Sequence, residues 1–333
     1  MPSTTRIRSE LPGGDPALLN RLAWTRRWID RDASVQNATT ARRAAKIGAG
    51  ERSRIHQGLA LRTLAWHARW LGNLDETMGL CLSAETYLTE SEFPGPRAVL
   101  YALLGSVHFA RNRVDLANCA IDRGFWLMRE HKDADIASAM TELLLTKATI
   151  QRYAGERARA GITLGRAQEL APAEEKPVVE YCTAGWLLDD RDAEAAQARI
   201  DNAFDLVASQ GNTVLLPYLH TLMGHCSFQM GRIDEATESL QTGMAMAQAR
   251  GDKRLRCFTH RHLAKLELAR DDLEAAETHL AKAAKLAQAQ GHNFERKRVA
   301  LARASLFEGQ GKYKKAVAQH NLAWRLQNET RAH

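Results

Sequence analysis

The stretch Leu222-Met223-Gly224-His225-Cys226-Ser227-Phe228-Gln229-Met230-Gly231-Arg232-Ile233-Asp234-Glu235-Ala236-Thr237-Glu238-Ser239-Leu240-Gln241-Thr242-Gly243 decides the fold of this chain. Apolar and small residues recur at helical spacing on both sides of Gly231, which reads as two helices joined by a tight turn. Gly231 supplies the left-handed conformation that ends the first helix. Asp234 stands in the first turn of the second, where negative charge suits the helix dipole. Gly224, Ala236 and Gly243 sit where the two helices cross, and any larger side chain there would force them past the roughly 8–10 Å of close packing.

The same pattern spreads in both directions. Turn positions fall at Gly72, Asn112, Gly155, Arg191, Gly231, Asp271 and Gly311, in steps of 40, 43, 36, 40, 40 and 40 residues. Around each turn the small and apolar residues repeat: Leu104-Gly105, Ala117, Ile121 and Gly124; Ala148, Ala160, Leu164 and Ala167; Ala184, Ala196, Ile200 and Ala203; Ala264, Ala276, Leu280 and Ala283; Ala304, Ala316 and Ala323. The set around Gly72 (Leu64-Ala65, Thr77, Cys81, Ala84) is less regular. Self-similarity at this period marks a solenoid of stacked helix pairs, whose core grows lengthwise.

This pattern resembles the tetratricopeptide repeat (TPR) family. The resemblance implies an all-α, right-handed superhelical solenoid of antiparallel helix pairs with about seven or eight repeats. The repeats run near 40 residues, and the proline that closes the second helix in the family is missing. In this they are similar to the long repeats of MalT-like and peptide-sensing bacterial regulators, which bind peptides, small molecules or protein domains. The final helix, from Lys314 through Trp324, resembles the end of repeat modules placed before bacterial diguanylate cyclase (GGDEF) domains. No GGDEF sequence follows here, so cyclase activity does not carry over. The expected organisation is a disordered segment 1–14, a degenerate first repeat over 15–58 and a regular solenoid over 59–330. Breaks are expected at Ser91 to Pro96 and at Ala171-Pro172 to Pro177.

Composition excludes several classes. No run of about 18 apolar residues is present, so no membrane span is expected. The polar N-terminus lacks the apolar core of a secretory signal. Cys81, Cys119, Cys182, Cys226 and Cys257 are odd in number and far apart, which points to reduced thiols in a cytoplasmic protein and not to a disulfide framework. The net charge of +7 is uneven: +6 over 1–54, −7 over 55–250 and +8 over 251–333. Charged helix faces are usually just solvated, and the alternative is a pair of basic end surfaces for an acidic partner.

No catalytic constellation is visible. There is no phosphate-cradling GxxxxGK[ST], no GxSxG elbow and no HExxH. His260 and His262 are two apart and point to different sides of a helix, so they do not converge on a metal. No cofactor, metal or catalytic residue is assigned. The run Glu295-Arg296-Lys297-Arg298 with Lys312, Lys314 and Lys315 raises nucleic acid, but no exposed aromatics are interleaved and no recognition motif is present, so that is the weaker reading.

The function expected is therefore non-catalytic binding of a protein or peptide along the concave face formed by the first helix of each pair. The inward positions of those helices carry Arg62, Trp66, Arg69, Phe109, Arg152, Tyr218, His225, Arg261 and Lys265, with Ser106, Thr149, Tyr181 and Phe258 among them. Aromatics and arginines are the types that carry interface energy, and they suit an extended or helical acidic peptide. The competing assignment is packing: Trp24, Trp28, Trp66 and Trp70 stand four apart in pairs and suit a core joining the first repeats. The arginines and Lys265 are the stronger candidates, because long cations are seldom fully buried. A sensory module binding a small molecule or peptide is the alternative function, and a homodimer through uncapped end faces is also compatible with the sequence.

Overall fold

The computed structural model describes residues 14–48, 50–88, 94–129 and 136–328. Over these residues the chain forms sixteen α-helices, one 3-10 turn and no strand. The helices are α1 (Pro16–Thr25), α2 (Arg31–Ile47), α3 (Glu51–Trp70), α4 (Leu74–Leu88), α5 (Pro94–Ala110), α6 (Val114–Met128), α7 (Ile136–Tyr153) and α8 (Arg157–Leu170). They continue as α9 (Lys176–Asp189), α10 (Ala193–Gln210), α11 (Leu216–Gln229), α12 (Ile233–Ala249), α13 (Lys253–Ala269), α14 (Leu273–Ala289), α15 (Asn293–Gly309) and α16 (Tyr313–Asn328). Each odd helix packs on the even helix that follows it, giving eight antiparallel pairs in a TPR-like solenoid.

All seven turn positions read from the sequence adopt the left-handed conformation, with φ between 60° and 86°. Three of them, Asn112, Arg191 and Asp271, are not glycine. The residue after each turn donates its N–H to the carbonyl five positions back, as in Asn73 to Ala68 (2.9 Å), Arg232 to Ser227 (2.8 Å) and Lys312 to Phe307 (2.8 Å). This closes the last turn of the helix and satisfies its orphan carbonyls. A second series, Gly211, Gly251 and Gly291, is left-handed too, and makes the turn from one pair to the next. The small residues are small for the reason inferred: a Cβ on Gly105, Gly124, Gly224 or Gly243 would lie 2.4–2.8 Å from a side-chain atom of the facing helix.

The expected break at 171–177 is present as a 3-10 turn over Ala173–Glu175 before α9. Of the Ser91 to Pro96 segment, residues 91–93 lie outside the described residues and Pro94 opens α5. The expected disordered segment also lies outside them, except for Gly14. In the first pair, Asp30 caps α2 by accepting from the Ala33 N–H (3.0 Å).

The solenoid does not remain an open groove. Its ends meet. Phe294 of α15 reaches Phe109 of α5 and Tyr153 of α7, with ring centroids 5.4 and 4.3 Å apart. The Asn293 amide donates to the Arg111 carbonyl (3.4 Å), and the Asn112 amide donates to the Leu326 carbonyl (2.8 Å). Gly72 sits so close to α13 that a Cβ there would lie 2.8 Å from Cβ of Arg254. The first pair closes one side of the ring. The loop after α1 crosses the interior and meets the start of α11, where the Val214 N–H donates to the Trp28 carbonyl (3.3 Å). Arg27 in the same loop forms a fully buried ion pair with Glu175. Burial, outweighing Arg27, pushes the Glu175 carboxyl up to about 7.

Candidate functional site

The meeting of the ends turns the concave face into a cavity of about 250 Å³. Every odd helix from α3 to α15 contributes to its wall, as the helical period required. The wall is part aromatic (Trp70, Phe109, Tyr181, Trp186, Phe258, Phe294) and part charged (Arg69, Glu142, Asp189, Arg254, Glu295, Arg298).

Of the residues read from the sequence, Arg69, Phe109, Tyr218 and His225 line the cavity. Arg152, Arg261 and Lys265 do not reach its surface. Arg152 instead donates to the Trp186 carbonyl (2.8 Å) and pairs with Asp190 (3.0 Å), holding α7 to α9. Arg261 lies behind Glu295 at 3.5 Å and is 3 % exposed. Lys265 is half-buried, and burial with the nearby Arg261 and Arg298 pushes its amine down to about 8.

Trp66 and Arg62 are placed elsewhere. Trp66 is wholly buried, edge-on to Trp28 (4.6 Å), and donates from Nε1 to Glu142 (2.8 Å). The guanidinium of Arg62 stacks on Trp24 at 3.6 Å. Trp28 and Trp66 are thus core, because the loop carrying Trp28 folds over α3, whereas Trp70 of the same cluster also lines the cavity. The premise that long cations stay exposed also fails here: Arg27, Arg62 and Arg261 are all buried. They are tolerated because each has an aromatic face or a carboxylate beside it.

Three clusters give the cavity its character. At one end Arg69 and Arg254 both lie over the ring of Trp70, at 5.1 and 5.5 Å from its centroid. Tyr218 beside them donates its hydroxyl to Asp252 (2.5 Å) and holds it 2.7 Å from the Trp70 carbonyl, and burial followed by the Asp252 charge raises its pKa. At the other end Arg298 reaches Tyr153 (3.4 Å) and Asp189 (3.7 Å). Burial would raise the Glu295 carboxyl, but Arg261 and Arg298 hold it down to about 2. The third cluster is a pair of imidazoles, His225 and His262, with centroids 4.0 Å apart. Burial first, then the surrounding cations, pushes His225 down to about 2, and burial followed by His225 and the same cations pushes His262 well below its usual value. Both are neutral at pH 7. The Gln229 amide donates to His225 Nε2 (3.0 Å), whereas neither ring nitrogen of His262 has a partner. No group of three metal-ligating side chains occurs among the described residues.

Arg254 was not singled out in the sequence, and Arg298, Glu295, His262 and Trp70 were read there in other roles and not as the inner wall. Arg254 stands one helical turn before Phe258, and Arg298 one turn after Phe294, so the period that identified the aromatics extends to them.

Fold and interior together define a TPR-like helical-repeat solenoid closed around a cavity. Solved structures share that fold. The crystal structure of a Rap protein complexed with competence and sporulation factor matches 95 % of this chain and 98 % of its own, with a TM-score of 0.64 and 12 % identity. Yeast Tom70 matches 92 % of this chain and 67 % of its own, with a TM-score of 0.50 and 13 % identity. The human IFIT1 dimer with PPP-AAAA matches 94 % and 73 %, with a TM-score of 0.51 and 12 % identity. Likeness at such identity concerns the fold alone. No protein-family model and no curated protein matches the sequence.

Proposed function

We propose that this protein is a non-catalytic binding scaffold that holds a short acidic peptide, or an acidic protein segment of that length, in the interior of its solenoid. One observation carries the reading: an aromatic-lined cavity whose wall holds two arginines, Arg69 and Arg254, that have no carboxylate oxygen within 4.0 Å among the described residues. The carboxylates Glu142, Asp189 and Glu295 face Trp66, Arg298 and Arg261, whereas Arg254 Nη1 is buried without a hydrogen-bond partner. A buried polar group left without a partner costs roughly 1–3 kcal/mol, so an occupant that brings an acceptor to Arg254 is favoured. The volume suits a few residues and not the long extended or helical ligand that an open groove would take. The similar Rap structure was solved with a factor bound, which supports a ligand-binding role by analogy of fold.

A sensory role is the second reading, favoured by the contact of Asn112 with the end of α16, which links the cavity ring to the last described helix. Among the described residues no helix is long and apolar enough to cross a membrane. We place the protein in the cytoplasm, where its thiols stay reduced. The outer face of α16 exposes Tyr313, Val317 and Trp324, and a homodimer would form there, which sedimentation velocity would detect.

Trp70 and Trp186 line the cavity and report on it directly. Pools of acidic and of basic hexapeptides should be titrated while tryptophan emission is followed. The reading expects a saturable change with the acidic pool only, abolished in the cavity-filling variant Thr149→Phe. Equal binding by that variant would move the site to the outer surface. Binding of RNA oligonucleotides alone would replace the peptide reading with the nucleic-acid one.

A further inference from the structure

Arg69 belongs to α3, in the second helix pair, and Arg254 to α13, in the seventh. They are 185 residues apart in sequence, yet both guanidiniums lie over the ring of Trp70 and both line the cavity. Neither has a carboxylate oxygen within the 4.0 Å of an ion pair among the described residues. Arg69 spends only its Nε, on Ser106 Oγ at 3.3 Å. Arg254 makes no side-chain hydrogen bond, and its Nη1 is buried without a partner. Burial, and after it the charge of Arg254, pulls the Arg69 guanidinium below its ordinary range, whereas at Arg254 the nearby Tyr218, Tyr181, Asp252 and Glu295 outweigh burial and raise it.

Two half-buried like charges gathered at one ring oppose the contact that brings them together. Here that contact is the closure of the ring, because the stem of Arg254 packs against Gly72 at the end of α3. The indole beside them attracts both cations but carries no net charge. What the site lacks is an anion with at least two acceptor oxygens, able to take N–H donors from both sides. A guanidinium presents its donors as a planar fork suited to carboxylate and phosphate.

We infer that an oxyanion group of the ligand, carboxylate or phosphate, binds between Arg69 and Arg254 beside Trp70 and thereby holds the two ends of the solenoid together. The inference rests on the cavity being the binding site. The site differs from an ordinary groove contact because its two cations come from opposite ends of the superhelix. Binding and closure are then one event, since an occupant that prefers the closed form shifts the protein towards it.

The test uses the full chain and two probes, sodium phosphate and the peptide acetyl-Glu-Glu-amide, each against sodium chloride at equal ionic strength. Thermal unfolding and the radius of gyration from solution scattering are measured for the wild type, Arg69→Gln and Arg254→Gln. Either substitution removes one of two half-buried like charges, so both variants should fold and melt no lower than the wild type. At least one probe should raise the melting temperature of the wild type by several degrees beyond chloride and reduce its radius of gyration, and do neither in the variants. The probe with the lower half-saturation names the source of the oxyanion. No effect beyond chloride, or an equal effect on wild type and both variants, overturns the inference. Acidic hexapeptides that bind without any dependence on Arg69 or Arg254 leave the cavity reading standing and sink this one. A phosphate effect with no hexapeptide binding does the reverse.

Discussion

The side-chain amide of Asn112 donates to the main-chain carbonyl of Leu326 at 2.8 Å, joining the turn of the third helix pair to the last helix across 214 residues of sequence. It reaches the Gln327 carbonyl as well, at 3.3 Å. Asn112 therefore has two tasks: it takes the left-handed conformation that ends α5, at φ 60°, and it caps α16. Asn112→Gly preserves the first task and removes the second. Hydrogen exchange should show α16 amides losing protection by about 1 kcal/mol, the net worth of such a bond, while α5 and α6 are unchanged. Equal loss along α5 would show that the amide serves its own turn instead.

Gly72 and Gly231 hold the same position in their repeats, and both have positive φ, 78° and 76°. A Cβ at Gly231 meets open space, whereas one at Gly72 would lie 2.3 Å from Gln290 Oε1 and 2.8 Å from Arg254 Cβ. Gly231→Ala should cost only the left-handed penalty, about 1 kcal/mol. Gly72→Ala should cost roughly 3 kcal/mol, since overpacking adds to it. Urea denaturation of the pair checks this, and equal costs would mean that the ring closes less tightly than described.

Arg191 and Asp271 pose the converse case. Both are exposed, non-glycine residues held at φ 65° and 62°. Arg191→Gly and Asp271→Gly should each stabilise the protein by about 0.5 kcal/mol, the strain relieved less the chain entropy lost. Asp271 should gain less, because a short polar side chain tolerates this region better. A lowered urea midpoint in either variant would assign the wild-type side chain a contact that offsets its strain.

These turns show what a sequence of this kind discloses. Asn112, Gly155 and Asp271 were legible because residue type and spacing agree, and Arg191 by spacing alone. Gly211, Gly251 and Gly291 stand 40 apart too and were overlooked, although they obey the same rule between pairs. In the site, Arg69, Phe109, Tyr218 and His225 were legible because a period of 3.6 assigns them to the inner face of their helices. That period is blind to whatever else covers the face. Trp66 and Arg62 satisfy it and are nonetheless covered, because the loop bearing Arg27 and Trp28 folds across the interior. The pairing of Arg69 with Arg254 was equally hidden, since it exists only once the ring closes, and closure depends on contacts such as Phe294 with Phe109 that span most of the chain.

Acid should weaken this fold earlier than its carboxylates alone would suggest. His67 is 3 % exposed, with Nε2 2.8 Å from Ser34 Oγ, and burial followed by the charges of Arg31 and Arg27 pushes its pKa down to about 3. His225 is pushed down to about 2 by burial and then by Lys265, Arg261 and Arg298. In the unfolded chain each takes a proton near pH 6.5, which the folded protein refuses. The unfolded state thus binds more protons below pH 6.5, and stability falls with pH, by about 1.4 kcal/mol per unit for each such group. Glu175 acts in the opposite sense, because a carboxyl raised to about 7 in the fold favours the folded state as pH drops from 7 towards 4.5. One raised carboxyl offsets one histidine, so with His67 and His225 both depressed the net effect between pH 6.5 and 4.5 is destabilising. The melting temperature should fall over that window. In His67→Gln, which retains a polar partner for Ser34 without titrating, the fall should be shallower by about one histidine's share. An unchanged slope in that variant would show that His67 is protonated in the folded protein after all.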